Sequence, residues 1–345
     1  MSLTAPLHGG DLVAASRRWG IPPERFLDFS ANINPLGPPP AALEAARSAL
    51  AGVANYPEPF ARSLRAALAR HHGLPEEAVL VGNGAAEVLY LLLRQAAGRR
   101  VALPAPGFAE YGRAARAAGA ELLTYPPDRP TPPPGLRQGD WLILCNPHNP
   151  TGGIYDPGQV LALAEQTPAT LLVDEAFIDL TEPGEAGSVI PAVLRRPNLV
   201  VARSLTKFYA LPGLRIGYAV APPAMVAALD GARDPWSVSS LAQAAALAAL
   251  ADEAFAARTR EWVRAERPFL AAALAGLPGY TVCPPAANFV LVRAPQPAHA
   301  VQERLGPQGI LIRDCRSFEG LTPFHMRLAV RTREENLRLL EALRS

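Results

Sequence analysis

Residues Trp141–Phe177, WLILCNPHNPTGGIYDPGQVLALAEQTPATLLVDEAF, decide the fold. WLILC (Trp141–Cys145) is short and apolar throughout, as a strand buried on both faces must be. NPHNPTGG (Asn146–Gly153) follows, with two Asn-Pro steps and a Thr-Gly that make a rigid turn. Pro157–Gln166 has the Ala/Leu content of a helix. LLVDEAF (Leu171–Phe177) begins as another buried strand and ends in two acids. Strand, turn, helix and strand in this order predict a parallel pair joined by a crossover. In such open sheets, ligands sit at the carboxyl ends of the strands.

The alternation continues on both sides. Val79–Val81, Arg100–Leu103, Glu121–Tyr125, Leu199–Ala202 and Arg215–Val220 read as strands, and Ala85–Ala97 and Ala109–Ala118 as helices. The Pro-rich stretch Pro126–Gly135 reads as a surface connection between two strands. The class is α/β: a large domain over residues 41–238 with a mostly parallel mixed sheet covered on both faces. From Ser239 the pattern changes to long helices (Ser239–Leu250, Glu253–Leu274). Short strands follow at Val282, Asn288–Val292, Ile310–Ile312 and His325–Val330, with a closing helix at Arg333–Leu343. These make a smaller α+β domain over residues 239–345. The loop-rich residues 1–40 are expected to pack on it.

Composition agrees with that plan and narrows the function. The 345 residues suit two domains, and 49% hydrophobic content with 19% charged excludes a disordered chain. A net charge of +2 gives no electrostatic case for nucleic acid or an anionic membrane. No stretch has the roughly 18 uninterrupted apolar residues of a spanning helix. MSLTAPLHGGD at the start lacks the pattern of a secretory signal. Cys145, Cys283 and Cys315 are odd in number and widely spaced, which reads as free thiols in a reducing cytoplasm and not as a zinc site. No metal is expected.

Of the 33 basic residues, one is lysine, Lys207. Arginine cannot form an imine, so a lone lysine in an arginine-using chain is a candidate for chemistry that needs a primary amine. Lys207 lies in SLTKFYALPGLRIGY (Ser204–Tyr218), where Ser204, Thr206 and Arg215 form a donor set suited to a phosphate dianion. VGNGAAEVLYLLL (Val81–Leu93) runs a strand through a Gly-rich turn into a helix, whose N-terminus offers free N–H groups and a positive dipole end. Gly82, Gly84 and Glu87 only partly match a dinucleotide fingerprint, since Glu stands at the sixth position. Asn149 offers an amide donor, although as turn chemistry alone its segment is unremarked. Asp174 at a strand end is suited to a protonated ring nitrogen, although taken alone a strand-end Asp reads first as a helix cap or surface ion pair. Phe108 in PAPGFAEY can stack on a planar ligand or pack in the core. An amine, a carboxylate for a pyridinium, an amide donor, a stacking ring and a phosphate cradle together specify pyridoxal 5′-phosphate.

With N-P-x-N-P-T-G, D-E-A and S-x-[ST]-K followed eight residues on by Arg, the chain resembles the fold type I, aspartate-aminotransferase-like enzymes from about residue 25 to its end. The resemblance implies that Lys207 holds the cofactor as an imine and moves protons. It implies that Asp174 pairs with the ring nitrogen, Asn149 donates to the 3-oxygen and Phe108 stacks. Gly84, Ala85, Ala86, Ser204, Thr206 and Arg215 would then hold the phosphate. Tyr56 in NYPEP resembles a tyrosine that reaches the phosphate of a neighbouring subunit, which implies a homodimer. Arg327 resembles a clamp for a substrate carboxylate. Phe177 stands where many relatives carry Tyr, and its ring cannot hydrogen-bond the 3-oxygen.

Two branches are near: threonine-phosphate decarboxylases of cobalamin synthesis and histidinol-phosphate aminotransferases. HGGD (His8–Asp11), DFSANINPLGPP (Asp28–Pro39), DEAF, DPWSVSSLAQ (Asp234–Gln243) and IRDCRSFEGL (Ile312–Leu321) resemble the decarboxylases more. On that reading, His8, Gly9, Asn32 and Arg313 join Asn149 and Arg327 around a phosphorylated amino acid. The carboxylate and phosphate ends need two cationic clamps. Regulators with an aminotransferase-like sensor domain form a third class, but these need an added DNA-binding domain for which the chain has neither spare length nor a basic patch.

Overall fold

The computed structural model describes residues 8–128 and 131–344. Met1–Leu7, most of the stretch read for a signal, lie outside the described residues, as do Arg129 and Pro130 of the Pro-rich connection. A short strand, β1 (Leu27–Asp28), precedes the large sheet. That sheet comprises β2 (Val79–Gly82), β3 (Arg100–Pro104), β4 (Glu121–Tyr125), β5 (Trp141–Cys145), β6 (Thr170–Asp174), β7 (Leu199–Ser204) and β8 (Gly217–Val220). Its spatial order is β2-β8-β7-β6-β5-β3-β4. β8 is antiparallel to both neighbours and every other pairing is parallel.

Side-chain alternation explains why the apolar strands are buried on both faces. Val79, Leu142, Leu144, Leu171, Val173, Leu199 and Val201 enter one core. Leu80, Ile143, Cys145, Leu172, Val200 and Ala202 enter the other. Helices Gly84–Leu93 and Ala109–Ala117 cover the second face with Val88, Leu92, Tyr111 and Ala114. Helix Pro157–Gln166 covers the first, started by a capping box in which Asp156 and Gln159 satisfy each other's backbone N–H. The edge strand β4 exposes Glu121 and Thr124, as an unpaired edge should.

The smaller unit has β9 (Thr281–Val282), β10 (Phe289–Arg293), β11 (Ile310–Leu311), β12 (Arg313–Asp314) and β13 (His325–Ala329). Four of these form an antiparallel sheet in the order β12-β13-β10-β9, and β11 pairs in parallel with β1. The early segment also carries a helix, Leu12–Trp19, capped by Asp11. A Cβ at Gly306 would fall 2.2 Å from the Trp19 ring, so this helix lies hard against the smaller unit.

Some expected elements change. Arg215 and Ile216 precede β8 instead of starting it, because Arg215 takes a left-handed backbone with φ 56°. The helix after β2 ends at Leu93 and tightens into a 3-10 turn over Arg94–Ala96. Helices Pro40–Ala49, Arg62–His72, Pro223–Asp230 and Ala298–Leu305 were not expected from the sequence patterns.

Candidate active site

The parallel strands deliver their last residues to one edge of the sheet. Asp174 ends β6, beside Cys145 of β5 and Ala202 of β7. β5 leads into the Asn-Pro turn, which Asn146 closes by donating from Nδ2 to the Tyr155 carbonyl and accepting from the Tyr155 N–H. β7 leads into the short helix Leu205–Phe208, which carries Lys207. Because β8 runs the other way, the residues before it arrive at this same edge. Gly217 therefore lies opposite both Ser204 and Gly82, and Arg215 reaches the same edge as Ser204 and Thr206.

Two glycines let these segments close up. A Cβ at Gly217 would lie 2.4 Å from the Ala85 nitrogen, and one at Gly84 (φ 84°) would lie 2.4 Å from Arg215 Nη2. The first N–H groups of helix Gly84–Leu93 have no side-chain cap, since Asn83 makes none. They stand free beside Arg215 and the Ser204–Thr206 hydroxyl pair, whose oxygens are 2.7 Å apart. This is a ready site for a dianion.

Above these strand ends lies a cavity of about 350 Å³. Lys207, Asp174, Asn149, Phe108 and Phe177 line it, together with Ala85, Ala86, Ser204, Thr206 and Arg215. His8, Gly9, Asn32, Arg313 and Arg327 also line it. Two residues singled out in the sequence are not in the lining. Gly84 lies beneath Arg215, and Tyr56 is 82% exposed, 5.1 Å from the Trp236 ring.

The polar groups are strongly tuned. Burial, with Arg327 and Arg215 nearby, lowers the Lys207 amine from 10.5 to about 8, against an opposing pull from Asp174. Burial raises the Asp174 carboxyl, opposed by the Tyr111 hydroxyl, the Ala176 N–H and the Lys207 charge. Tyr111 donates to Asp174 Oδ2 at 2.6 Å and Ala176 N–H to Oδ1 at 3.0 Å. Burial lowers Arg327 to about 10. Its Nη1 donates to Asn149 Oδ1 at 2.6 Å and its Nη2 to the Ser30 carbonyl at 2.9 Å. With its oxygen so taken, Asn149 keeps its amide N–H groups for a ligand. Phe177 packs edge-on against Phe289.

Arg313 of β12 lies directly across from Arg327 of β13. They are 3% and 7% exposed. Asn32 is 3% exposed, lines the cavity, and neither its amide oxygen nor its amide nitrogen has a partner. A buried amide without partners is costly, and this one faces the space a ligand would fill.

These residues fit pyridoxal 5′-phosphate: an amine, a carboxylate with two donors already in place, a free amide donor, an aromatic wall and a phosphate cradle meet in one cavity. Sequence reading missed Tyr111, Glu110, Cys145 and Ser30, all in the lining. Tyr111 had a usable signal, standing three residues after Phe108 in the first turn of the helix that Phe108 precedes, where the two rings meet edge-on. Glu110 and Ser30 had none, since their roles depend on chain segments far away in sequence.

The family model for aminotransferase class I and II matches residues 24–343. The threonine-phosphate decarboxylase of Salmonella typhimurium is 39% identical, over 100% of this chain and 98% of that protein. The histidinol-phosphate aminotransferase of Symbiobacterium thermophilum is 42% identical, over 93% of this chain and 90% of its own. Among solved structures, the histidinol-phosphate aminotransferase from Sinorhizobium meliloti in complex with pyridoxal 5′-phosphate matches with a TM-score of 0.86 at 27% identity. That match covers 100% of this chain and 97% of that one. The chain belongs to the aminotransferase class I and II family.

Proposed function

We propose that this enzyme uses pyridoxal 5′-phosphate to decarboxylate O-phospho-L-threonine, releasing CO2 and (R)-1-amino-2-propanol O-2-phosphate in cobalamin biosynthesis. The observation that carries the reading is the buried pair Arg313 and Arg327, opposed across β12 and β13. Directly opposed like charges destabilise a strand pair, with Cβ atoms roughly 4.5–5.5 Å apart. A ligand with two anionic groups on neighbouring carbons relieves that repulsion, and phosphothreonine carries its carboxylate and phosphate so. The Salmonella typhimurium relative, named for this activity, supports the same choice.

When bound, the cofactor supplies an electron sink that weakens whichever Cα bond stands perpendicular to its ring. The chain's residues do the rest. Ser204, Thr206, Arg215 and the N–H groups of Gly84, Ala85 and Ala86 hold the cofactor phosphate, and Phe108 flanks the ring. Asp174, steadied by Tyr111, holds a negative charge at the ring nitrogen. Arg327 orients the substrate carboxylate, and Arg313 with His8, Gly9 and Asn32 takes the substrate phosphate. An amine near 8 lets Lys207 act as base or acid at neutral pH, and it delivers the proton that Cα needs once CO2 has left.

We further propose a homodimer in which Tyr56 reaches the cofactor phosphate of a second copy. Tyr56, Val53 and Leu50 are 82%, 69% and 52% exposed, and Trp236 beside Tyr56 is 44% exposed. Such a patch fits a protein surface partner. A cytoplasmic setting suits the three free cysteines.

Histidinol-phosphate aminotransferase is the second reading, favoured by the 42% identical relative. Incubation with phosphothreonine, L-threonine, or histidinol phosphate plus 2-oxoglutarate separates the two. The proposal expects turnover of phosphothreonine with no 2-oxoacid, and at least ~100-fold lower kcat/KM for threonine if two charged hydrogen bonds are lost. Turnover confined to histidinol phosphate with 2-oxoglutarate, yielding glutamate, contradicts it.

A further inference from the structure

Glu110, which no step above uses, collects three donors. It lies in the first turn of helix Ala109–Ala117, 8% exposed, in the cavity wall. Its Oε1 accepts from His8 Nε2 at 2.9 Å and from Arg113 Nη1 at 3.1 Å, and its Oε2 accepts from the Tyr90 hydroxyl at 3.0 Å. Arg113 shares the helix and Tyr90 comes from the neighbouring one, so both brace the carboxylate. His8 alone arrives from a distant segment.

That segment is anchored on the other side of the cavity. A Cβ at Gly9 would fall 2.2 Å from the Ser30 carbonyl oxygen, and the Gly10 N–H donates to Ser30 Oγ at 2.8 Å. The Ser30 carbonyl also accepts from Arg327. Asp11 then starts the helix that packs on Gly306, and β1 pairs with β11. His8 thus spans from the wall bearing Arg327 to the wall bearing Phe108, whose ring centroid is 5.8 Å from its own.

We propose that Glu110 is a specificity-determining positioning residue: it holds the His8 imidazole across the cavity mouth so that the second ring nitrogen meets the phosphate of a phosphorylated amine. This rests on the reading of the site given above. A carboxylate only accepts, so Nε2 carries a hydrogen in their bond, and Nδ1 must carry one as well to donate to a phosphate, so the ring meets the ligand as the imidazolium, with both nitrogens donating. Fixing the ring beforehand removes the cost of ordering it when substrate binds. Glu110 touches neither cofactor nor substrate and acts through His8.

The test uses the holoenzyme of wild type, Glu110→Ala, Glu110→Gln, His8→Ala and the double alanine variant. For phosphothreonine, Glu110→Ala and His8→Ala each raise KM about tenfold with kcat within about threefold, the scale of one charged hydrogen bond. The double variant is no worse than His8→Ala. Glu110→Gln keeps an acceptor oxygen and costs about threefold. Multiplying effects in the double variant, near a hundredfold, overturn the proposal. A second arm needs no turnover: hydrogen–deuterium exchange across residues 8–10, with and without inorganic phosphate. Phosphate slows exchange in wild type and fails to do so in Glu110→Ala. Absence of slowing in wild type, or equal slowing in both, overturns the proposal. If wild type leaves phosphothreonine untouched, the reaction reading fails while this arm still decides the role of Glu110. Should Glu110→Ala not fold, Glu110→Gln decides, and wild-type KM and exchange in that variant overturn the proposal.

Discussion

The two walls of the cavity are built differently. The wall at the large sheet comes from strand ends and the turns just after them: Asp174 has two donors, Ser204 and Thr206 share a hydrogen bond, and the start of helix Gly84–Leu93 carries no side-chain cap. The wall from the smaller unit and the early segment sets Arg313 and Arg327 across from each other on β12 and β13, with Arg313 Nη2 donating to Ser317 Oγ. Among the described residues, its Asn32 amide and Arg327 Nε have no partner. On the proposed function, the first wall holds the resident cofactor and the second meets the substrate. Damage to the first wall should show in the cofactor and in kcat. Damage to the second should show in KM and substrate choice, with the cofactor undisturbed.

Lys207→Arg should separate the walls most sharply. It keeps a cation and the fold but loses the only primary amine on a side chain. Turnover should fall by about 10⁴-fold or more. Borohydride reduction followed by peptide mapping should find a pyridoxyl group on Lys207 in wild type and none in the variant.

The same residue gives a stability signature in the cofactor-free protein. Below pH 8 a buried ammonium is charged in the folded state at full cost. Between about 8 and 10.5 the folded protein sheds this proton while the unfolded chain keeps it, so stability rises with pH. The contribution recovered is roughly 3 kcal/mol. Urea unfolding of wild type and Lys207→Met across this window should show wild type gaining on the variant as pH rises. A constant difference would mean that the amine is not perturbed.

Asp174→Asn replaces a carboxylate with a neutral amide and should cost at least ~100-fold in kcat while the cofactor stays bound, read by its absorbance. Arg327→Lys keeps the charge on the other wall but loses the fork. It should raise KM about tenfold and leave cofactor absorbance as in wild type. If the Arg327 variant instead loses cofactor, the distinction between the walls is wrong. Tyr111→Phe should have the smallest effect, about fivefold in kcat. It removes one of two donors that oppose the upward shift of the Asp174 carboxyl. A spectral pH titration should show the ring-nitrogen equilibrium moving in that variant.

Legibility in the sequence followed the same division. Asp174, Asn149, Lys207 and Arg215 sit in short motifs at strand ends, where local chain geometry fixes position, so a linear reading finds them. The antiparallel β8 is what brings Arg215 to the correct edge, and the βαβ rhythm alone does not announce it. Arg313 and Arg327 were readable as neighbours because two short strands lay close in sequence. Tyr111 was within reach because it stands in the first turn of the helix that follows Phe108. Glu110 was not: its partner His8 lies 102 positions away, and only the folded chain sets them 2.9 Å apart.

The central claim is that these walls break the Cα–carboxylate bond. Its most direct test is the fate of label in O-phospho-L-threonine carrying ¹³C at the carboxyl carbon, followed by NMR without any 2-oxoacid. The account predicts that the label leaves as CO2, one per 1-amino-2-propanol phosphate formed, over many turnovers. Retention of the label in a three- or four-carbon product, with the reaction stopping after one equivalent until 2-oxoglutarate is added, would contradict it.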